Sequence, residues 1–297
     1  MKGLPPQFDP RVTPARADLA AAALRQHVTA KRYVSGIRRR VIDAVAALCA
    51  RPDNAGPRLS SLLFGEGFIV YEEKDGWCWG QCAGDDYVGY VEGAALGVDH
   101  ECCHAVAVLM THIYQSPELK SPPLSCLSFA SRLALGARTE GDFRQLLSGG
   151  WVFAPHMRGR FEHQTDILET AGRFLGVPYL WGGRSAFGID CSGLLQLAFG
   201  AAGIALPRDT DQQQAALPGD MGADPAALSL ARGDVVFFPG HVGIMADDRH
   251  LLHANAHHMA VTIDRLDAVI DRVAAGLAAE GRQIPPVSAI KRPVGQR

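Results

Sequence analysis

Cys191 stands where a glycine-rich loop, Pro178-Tyr179-Leu180-Trp181-Gly182-Gly183-Arg184-Ser185-Ala186-Phe187-Gly188-Ile189-Asp190, runs into an apolar segment. That segment, Leu194 to Ala202, reads as a short buried helix ended by Gly203. A helix N-terminus carries unpaired N–H groups and partial positive charge, which favour a thiolate over a thiol. The same N–H groups would stabilise an oxyanion. A thiol nucleophile also needs a base, and two downstream segments offer one. Gly233 to Met245 reads as two short strands joined by Pro239-Gly240, with His241 opening the second; Leu251 to Asn255 reads as the next strand, carrying His253. Neighbouring antiparallel strands can set the two histidines side by side. One imidazole would face the thiol while the other fixes its tautomer.

The elements that must position these residues are those of an α+β domain. A helix is expected from Thr165 to Gly176, a surface loop over 212–230, a helix from Leu266 to Gly281, and a last strand from Val287 to Arg292. Upstream, Pro- and Arg-rich residues 1–16 read as an extended arm, and Ala17 to Lys31 as a helix. From Val41 the texture becomes short strands and tight turns. The stretch Pro52…Leu59-Ser60-Ser61-Leu62-Leu63-Phe64-Gly65-Glu66 recurs 65 residues later as Pro117…Leu124-Ser125-Cys126-Leu127-Ser128-Phe129-Ala130-Ser131. Each copy is followed by a similar strand, at Val88–Val91 and Gly150–Phe153, so two small β-barrels are expected.

The blocks D-C-S-G-L, G-H-V-G-I and L-H-A, in that order, resemble the NlpC/P60 cysteine peptidases. With P-Y-L-W-G-G-R-S and L-P-R-D-T-D-Q-Q, residues 160–295 resemble its γ-D-glutamyl-L-diamino acid endopeptidases, dipeptidyl-peptidase VI among them. The resemblance implies a papain-like catalytic domain preceded by two SH3-like barrels. The expected division is an arm and helix at 1–35, barrels at 36–98 and 99–158, and the peptidase domain at 159–297. It further implies a catalytic set of Cys191, His241 and His253. Substrate contacts implied in the same way are Tyr179 near the oxyanion, Asp190 and Ser192 at a free N-terminal amine, and Asp209 and Thr210 along the cleft. Glu66 and Tyr87 of the first barrel complete the implied set, Tyr90 being the alternative to Tyr87. Structural readings stand beside these: Asp190 suits a helix cap, Arg208 and Asp209 could pair with each other, and Tyr87 or Tyr179 could serve packing.

Composition narrows the class. Of 297 residues 47% are hydrophobic and 20% charged, and the net charge of −2 makes no case for nucleic acid or a membrane surface. No apolar run approaches membrane-spanning length. The N-terminus shows no apolar signal segment, and the seven cysteines are irregularly spaced, so a reducing, cytoplasmic setting is expected. Cys78-x3-Cys82 and His100-Glu101-Cys102-Cys103-His104 hold metal-ligating types, but their spacing fits no common zinc motif. No metal or organic cofactor is expected. The resemblance implies as partner a small murein peptide carrying a free L-Ala amine, in peptide recycling. The competing readings are a secreted wall endopeptidase, a non-catalytic binding protein on the same scaffold, and an acyl-transferring relative.

Overall fold

The computed structural model describes residues 5–53 and 55–293, so residues 1–4 of the expected arm lie outside the described part. The chain divides into two compact units between Glu162 and His163. In the first, the segment 17–31 departs from expectation. Leu19–Ala21 and Arg32–Val34 form a short parallel pair, joined through the 3-10 turn Ala22–Leu24. Three consecutive buried residues, Leu19, Ala20 and Ala21, describe a covered strand rather than one face of a helix. The alanine-rich composition is a weak prior that burial overrides. The arm is anchored by Arg16, whose guanidinium lies 4.4 Å from the Trp79 ring centroid and donates to Tyr90 Oη at 2.8 Å. It also pairs with Asp18 and Glu72.

Seven antiparallel strands between Ile37 and Val98 make one sheet over a core that includes Leu48, Leu62, Phe68, Cys78, Tyr87 and Val91. The turn between Gly67–Lys74 and Trp77–Cys82 is Asp75-Gly76, with φ of 51° and 79°, the conformation a two-residue hairpin prefers. Eight further strands between His104 and Gly159 form a five-stranded and a three-stranded sheet. The internal repeat is structural as well as sequential. Val45–Cys49 pairs with Arg58–Leu63, and Met110–Tyr114 with Pro123–Ser128, each strand shifted by 65 residues from its counterpart. The registers coincide throughout, from Val45↔Leu63 and Met110↔Ser128 to the irregularities at Leu48/Cys49 and Ile113/Tyr114. Phe64, at the end of the first copy, packs into the core of the second module with Val106, Leu127 and Val152.

The second unit is a six-stranded antiparallel sheet in the order Asp220–Gly222, Ala289–Lys291, Val235–Phe238, His241–Met245, His250–Asn255, Ala260–Arg265. Helix α1 (Ile167–Gly172) is capped by Asp166, whose carboxylate accepts from Glu169 N at 2.9 Å. Helix α2 (Cys191–Ala201) is buried along nearly its whole length and packs on α1 and on the His241 and His253 strands. A helix apolar on all sides belongs in a core. Helix α3 (Thr210–Ala216) and the Asp220–Gly222 strand occupy part of the stretch expected to be loop. Helix α4 (Leu266–Ala279) contributes Leu266 and Val269 to a core with Val236, Phe238, Met245, Leu251 and Ile290.

Candidate active site

Cys191 is the first residue of α2, and its N-cap is Asp190. The Asp190 carboxylate accepts from Gly193 N at 2.8 Å and from Gly182 N at 2.8 Å, tying the helix start to the glycine-rich loop. Arg208 adds Nη1 at 3.0 Å and Nη2 at 2.5 Å, and Ser192 Oγ adds a fifth donor at 3.3 Å. Arg208 Nη1 also donates to Ser192 Oγ at 2.6 Å, and Arg208 is 1% exposed. The arginine therefore pairs with Asp190 rather than with its neighbour Asp209. Asp190 and Ser192, expected as amine contacts, take part in this buried network at the start of α2. Glycine is required where the loop and helix meet: a Cβ on Gly193 would lie 2.4 Å from the Gly183 carbonyl oxygen.

The thiol lies against backbone N–H groups of Val242 and Ser192, which lower its pKa, as does the Arg208 charge. Burial, followed by the Asp190 charge, outweighs them and pushes the Cys191 thiol up to about 12. Burial thus opposes the thiolate-favouring helix terminus, because the site around Cys191 is nearly closed to water. Val242 follows His241 directly, so the base begins the same strand that presents an N–H to sulfur. Pro239-Gly240 sets that start: φ is +77° at Gly240, as the third position of a type II turn demands, and Phe238 pairs with His241.

His241 Nε2 and His253 Nδ1 are 2.7 Å apart. The register of the two strands places Ile244 opposite Leu252, and one step further places Gly243 opposite His253. His241 and His253 are therefore diagonal neighbours, and the rings meet across the space Gly243 leaves; a Cβ there would stand 3.0 Å from His253 Cβ and 2.7 Å from Leu251 Cγ. Burial lowers the His241 pKa to about 3, helped by the His253 and Arg272 charges. Burial also lowers His253, to about 4, against the opposing pull of Asp264. Both imidazoles are neutral at neutral pH, as a proton acceptor and its partner should be.

Asp264 was not singled out by the sequence reading. It lies on the strand beside His253, with Oδ2 3.5 Å from His253 Nε2 and 3.1 Å from His258 Nε2, and it pairs with Arg272 of α4. Burial tends to raise its pKa, but Arg272 and the histidines win and hold it at about 2. The signal was present in the alternation Thr262-Ile263-Asp264, since His253 pairs with Thr262 and Asp264 shares that face. His258, in the turn after the His253 strand, joins this charge cluster.

Tyr179 is half-buried, with its backbone N donating to Met259 O at 2.9 Å. Burial and the neighbouring Cys191 and Asp190 charges push its phenol pKa upward, so it remains an O–H donor beside the thiol. Asp209 and Thr210 begin α3, and Gln213 of the same helix donates to Ser192 O at 2.9 Å, fixing α3 to the start of α2. Glu66 and Tyr87 belong to the first unit. The Glu66 carboxylate accepts from Leu63 N at 2.9 Å within the turn that the L-F-G-E segment makes. Tyr87 is 5% exposed and packs in the core of the first barrel, whereas Tyr90 holds Arg16. Cys78 and Cys82 lie in that same core, and among the described cysteines no disulfide forms. No group of three metal-ligating side chains is assembled among the described residues.

A thiol at a helix start, hydrogen-bonding groups aimed at it, and two coupled imidazoles on adjoining strands define a cysteine hydrolase of papain-like organisation. Residues 176–272 match the NlpC/P60 family, and residues 48–96 match the bacterial dipeptidyl-peptidase SH3 domain. Dipeptidyl-peptidase 6 of Lysinibacillus sphaericus is 26% identical over 251 residues, covering 76% of this chain and 91% of that protein. The γ-D-glutamyl-L-lysine dipeptidyl-peptidase of Bacillus subtilis is 35% identical over 144 residues, 43% of this chain and 46% of that one. In fold, the chain is similar to the crystal structure of an NlpC/P60 family protein from Bacillus cereus. That match has a TM-score of 0.68 at 19% identity and covers 88% of this chain and all of the other.

Proposed function

We propose that this peptidase hydrolyses the bond between γ-D-Glu and a diamino acid, L-Lys or meso-diaminopimelate, in cell-wall-derived peptides that begin with a free L-Ala. The reading is supported by the paired His241 and His253, with the N–H of Val242, next to His241, directed at the Cys191 thiol, on a chain whose relatives are named dipeptidyl-peptidases. In the proposed sequence, Sγ attacks the γ-carbonyl carbon while His241 Nδ1 takes the thiol proton. His241 then gives that proton to the leaving amine, and water hydrolyses the acyl-enzyme with His241 again as base. Because thiol and imidazole both start neutral, proton transfer accompanies attack. The N–H of Cys191, first in α2 and without an acceptor in its own helix, and the Tyr179 O–H are the proposed oxyanion donors. His253 holds the His241 ring.

The proposed setting is the cytoplasm, in murein peptide recycling, without nucleic-acid or membrane partners and without a cofactor. Seven cysteines with no disulfide among them suit a reducing compartment. The deciding assay is mass-spectrometric product analysis on L-Ala-γ-D-Glu-L-Lys, its diaminopimelate counterpart and the N-acetylated forms, with Glu66→Gln beside the wild type. Release of L-Ala-γ-D-Glu, at least about a hundredfold faster from the free amine, is expected for loss of a charge-assisted contact. Equal rates on free and acetylated peptide refute dipeptidyl specificity. Undiminished discrimination in Glu66→Gln removes Glu66 from amine recognition.

A further inference from the structure

The geometry points to Asp264 as a positioning residue that dictates, through two imidazoles, which nitrogen of His241 is left bare for the thiol proton. The inference rests on the reading of Cys191 and His241 as nucleophile and base, and it extends that set by a residue outside it. It begins with an ionised carboxylate. Asp264 is held far below the ordinary carboxylate range by Arg272 and the facing histidines, so its oxygens only accept hydrogen bonds. His253 is 2% exposed, and the acceptor its Nε2 faces among the described residues is Asp264 Oδ2 at 3.5 Å, longer than a full hydrogen bond. A bare lone pair on that nitrogen would confront a carboxylate oxygen in a poorly solvated place, which is repulsive. The proton of neutral His253 therefore resides on Nε2.

The rest follows from counting protons. With Nε2 protonated, His253 Nδ1 is an acceptor. At 2.7 Å from His241 Nε2 it must face a donor, so His241 carries its own proton on Nε2. His241 Nδ1 is then unprotonated, the state a general base needs. Reversing the first tautomer would reverse both: a proton on His253 Nδ1 would make His241 Nε2 the acceptor and put the His241 proton on Nδ1, where it blocks proton uptake. When His241 accepts the thiol proton its ring becomes cationic, and the same carboxylate, one ring away, stabilises that charge. The groups around Asp264 are arranged to keep it ionised without replacing His253: Arg272 from α4, Thr262 Oγ1 from its own strand at 3.2 Å from Oδ1, and His258 from the turn. None of these reaches into the His241–His253 contact as a hydrogen-bond partner of either ring nitrogen.

The test uses the full chain and two readouts. Long-range 15N–1H imidazole spectra of uniformly labelled wild type, with resonances assigned by comparison with His253→Gln and His258→Gln, should show His253 and His241 both as Nε2–H tautomers at pH 7. An Nδ1–H tautomer at either ring overturns the inference without touching the nucleophile assignment, because the spectrum does not depend on turnover. In parallel, Asp264→Asn should lower kcat about 10- to 100-fold with KM within about twofold, the size typical when the partner of a working histidine is removed. Asp264→Glu should recover part of that loss. Unchanged kcat in Asp264→Asn, or no recovery with Glu while Tm equals that of the wild type, reduces Asp264 to packing. The spectra of the unmodified protein decide the matter if either variant fails to fold.

Discussion

Two carboxylates, Asp190 buried and Asp264 half-buried, flank the catalytic apparatus, and each is paired with an arginine, yet they do different work. Asp190, at the start of α2, accepts from two backbone N–H groups, a hydroxyl and both terminal nitrogens of Arg208. Each of its contacts is to the protein's own scaffold. Asp264, on the last strand of the sheet's catalytic edge, presents the same Oδ2 to Arg272, His258 and His253. A carboxylate whose donors all come from the scaffold builds a site, whereas one that also faces an imidazole can act through it. Residue type and an arginine partner alone would have assigned both the same role; what separates them is which groups each carboxylate faces. The resemblance implies substrate contact for Asp190, and the donors around it give it a structural role at the start of α2 as well.

The sharpest break in that comparison lies between the two carboxylates, at the groups that react. Cys191→Ser should reduce kcat/KM by at least about 10^4-fold with an unchanged Tm, since removing a nucleophile costs many orders of magnitude. His241→Ala should fall nearly as far, while His253→Asn keeps measurable turnover, because a polar substitute can still hold the base. Steady-state kinetics on the free tripeptide check all three; equal and total loss at both histidines would contradict the division of roles.

Next in size is the scaffold pair. Arg208→Met leaves Asp190 with a buried, partly uncompensated charge and should destabilise the catalytic unit by about 3–5 kcal/mol. Denaturant unfolding followed by domain-resolved hydrogen exchange would register it, and activity should be lost in proportion to folded protein. Full stability with lost activity would contradict a structural role for the Asp190–Arg208 pair and favour substrate contact at Asp190.

The smallest effect is the pH response, and its sign is fixed by the histidines. His241 and His253 bind protons less tightly folded than unfolded, where an imidazole titrates near 6.5. Between pH 6.5 and about 4 the unfolded chain therefore takes up more protons, and stability falls as pH falls. Asp264 adds in the same direction at lower pH, its contribution being full above about 4 and lost toward 2. Urea midpoints at pH 7, 5.5 and 4.5 should decline for the wild type and decline less for His253→Gln; an increase toward acid would reverse the assignment. Cys191, followed at peptide level because Cys103 is exposed, should alkylate slowly with iodoacetamide at neutral and acid pH and faster as pH rises above 9. A flat rate down to pH 5 would instead signal a standing thiolate.

Much of this was legible in residue order. The loop-to-helix change at Cys191, the Pro239-Gly240 turn before His241 and the spacing to His253 are local features, written in short-range patterns of turn residues and apolar runs. The same holds for the 65-residue repeat, whose two hairpins share a register because alternation and turn position fix register from nearby residues. The boundaries of α4 and the approximate place of the last strand follow likewise. What the chain order could not decide were outcomes that depend on partners distant in sequence. Ala17–Lys31 has helical composition but is buried on consecutive residues, which only its neighbours dictate. Arg208 had Asp209 beside it and Asp190 eighteen positions away, and the tertiary fold chose the distant carboxylate. Asp264 reaches His253 only because the two strands pair in one register, and the thiol's pKa depends on how completely the fold excludes water around a helix end. Local sequence sets which groups are available and which way the chain turns; desolvation and charge pairing, which require the assembled structure, set what those groups do.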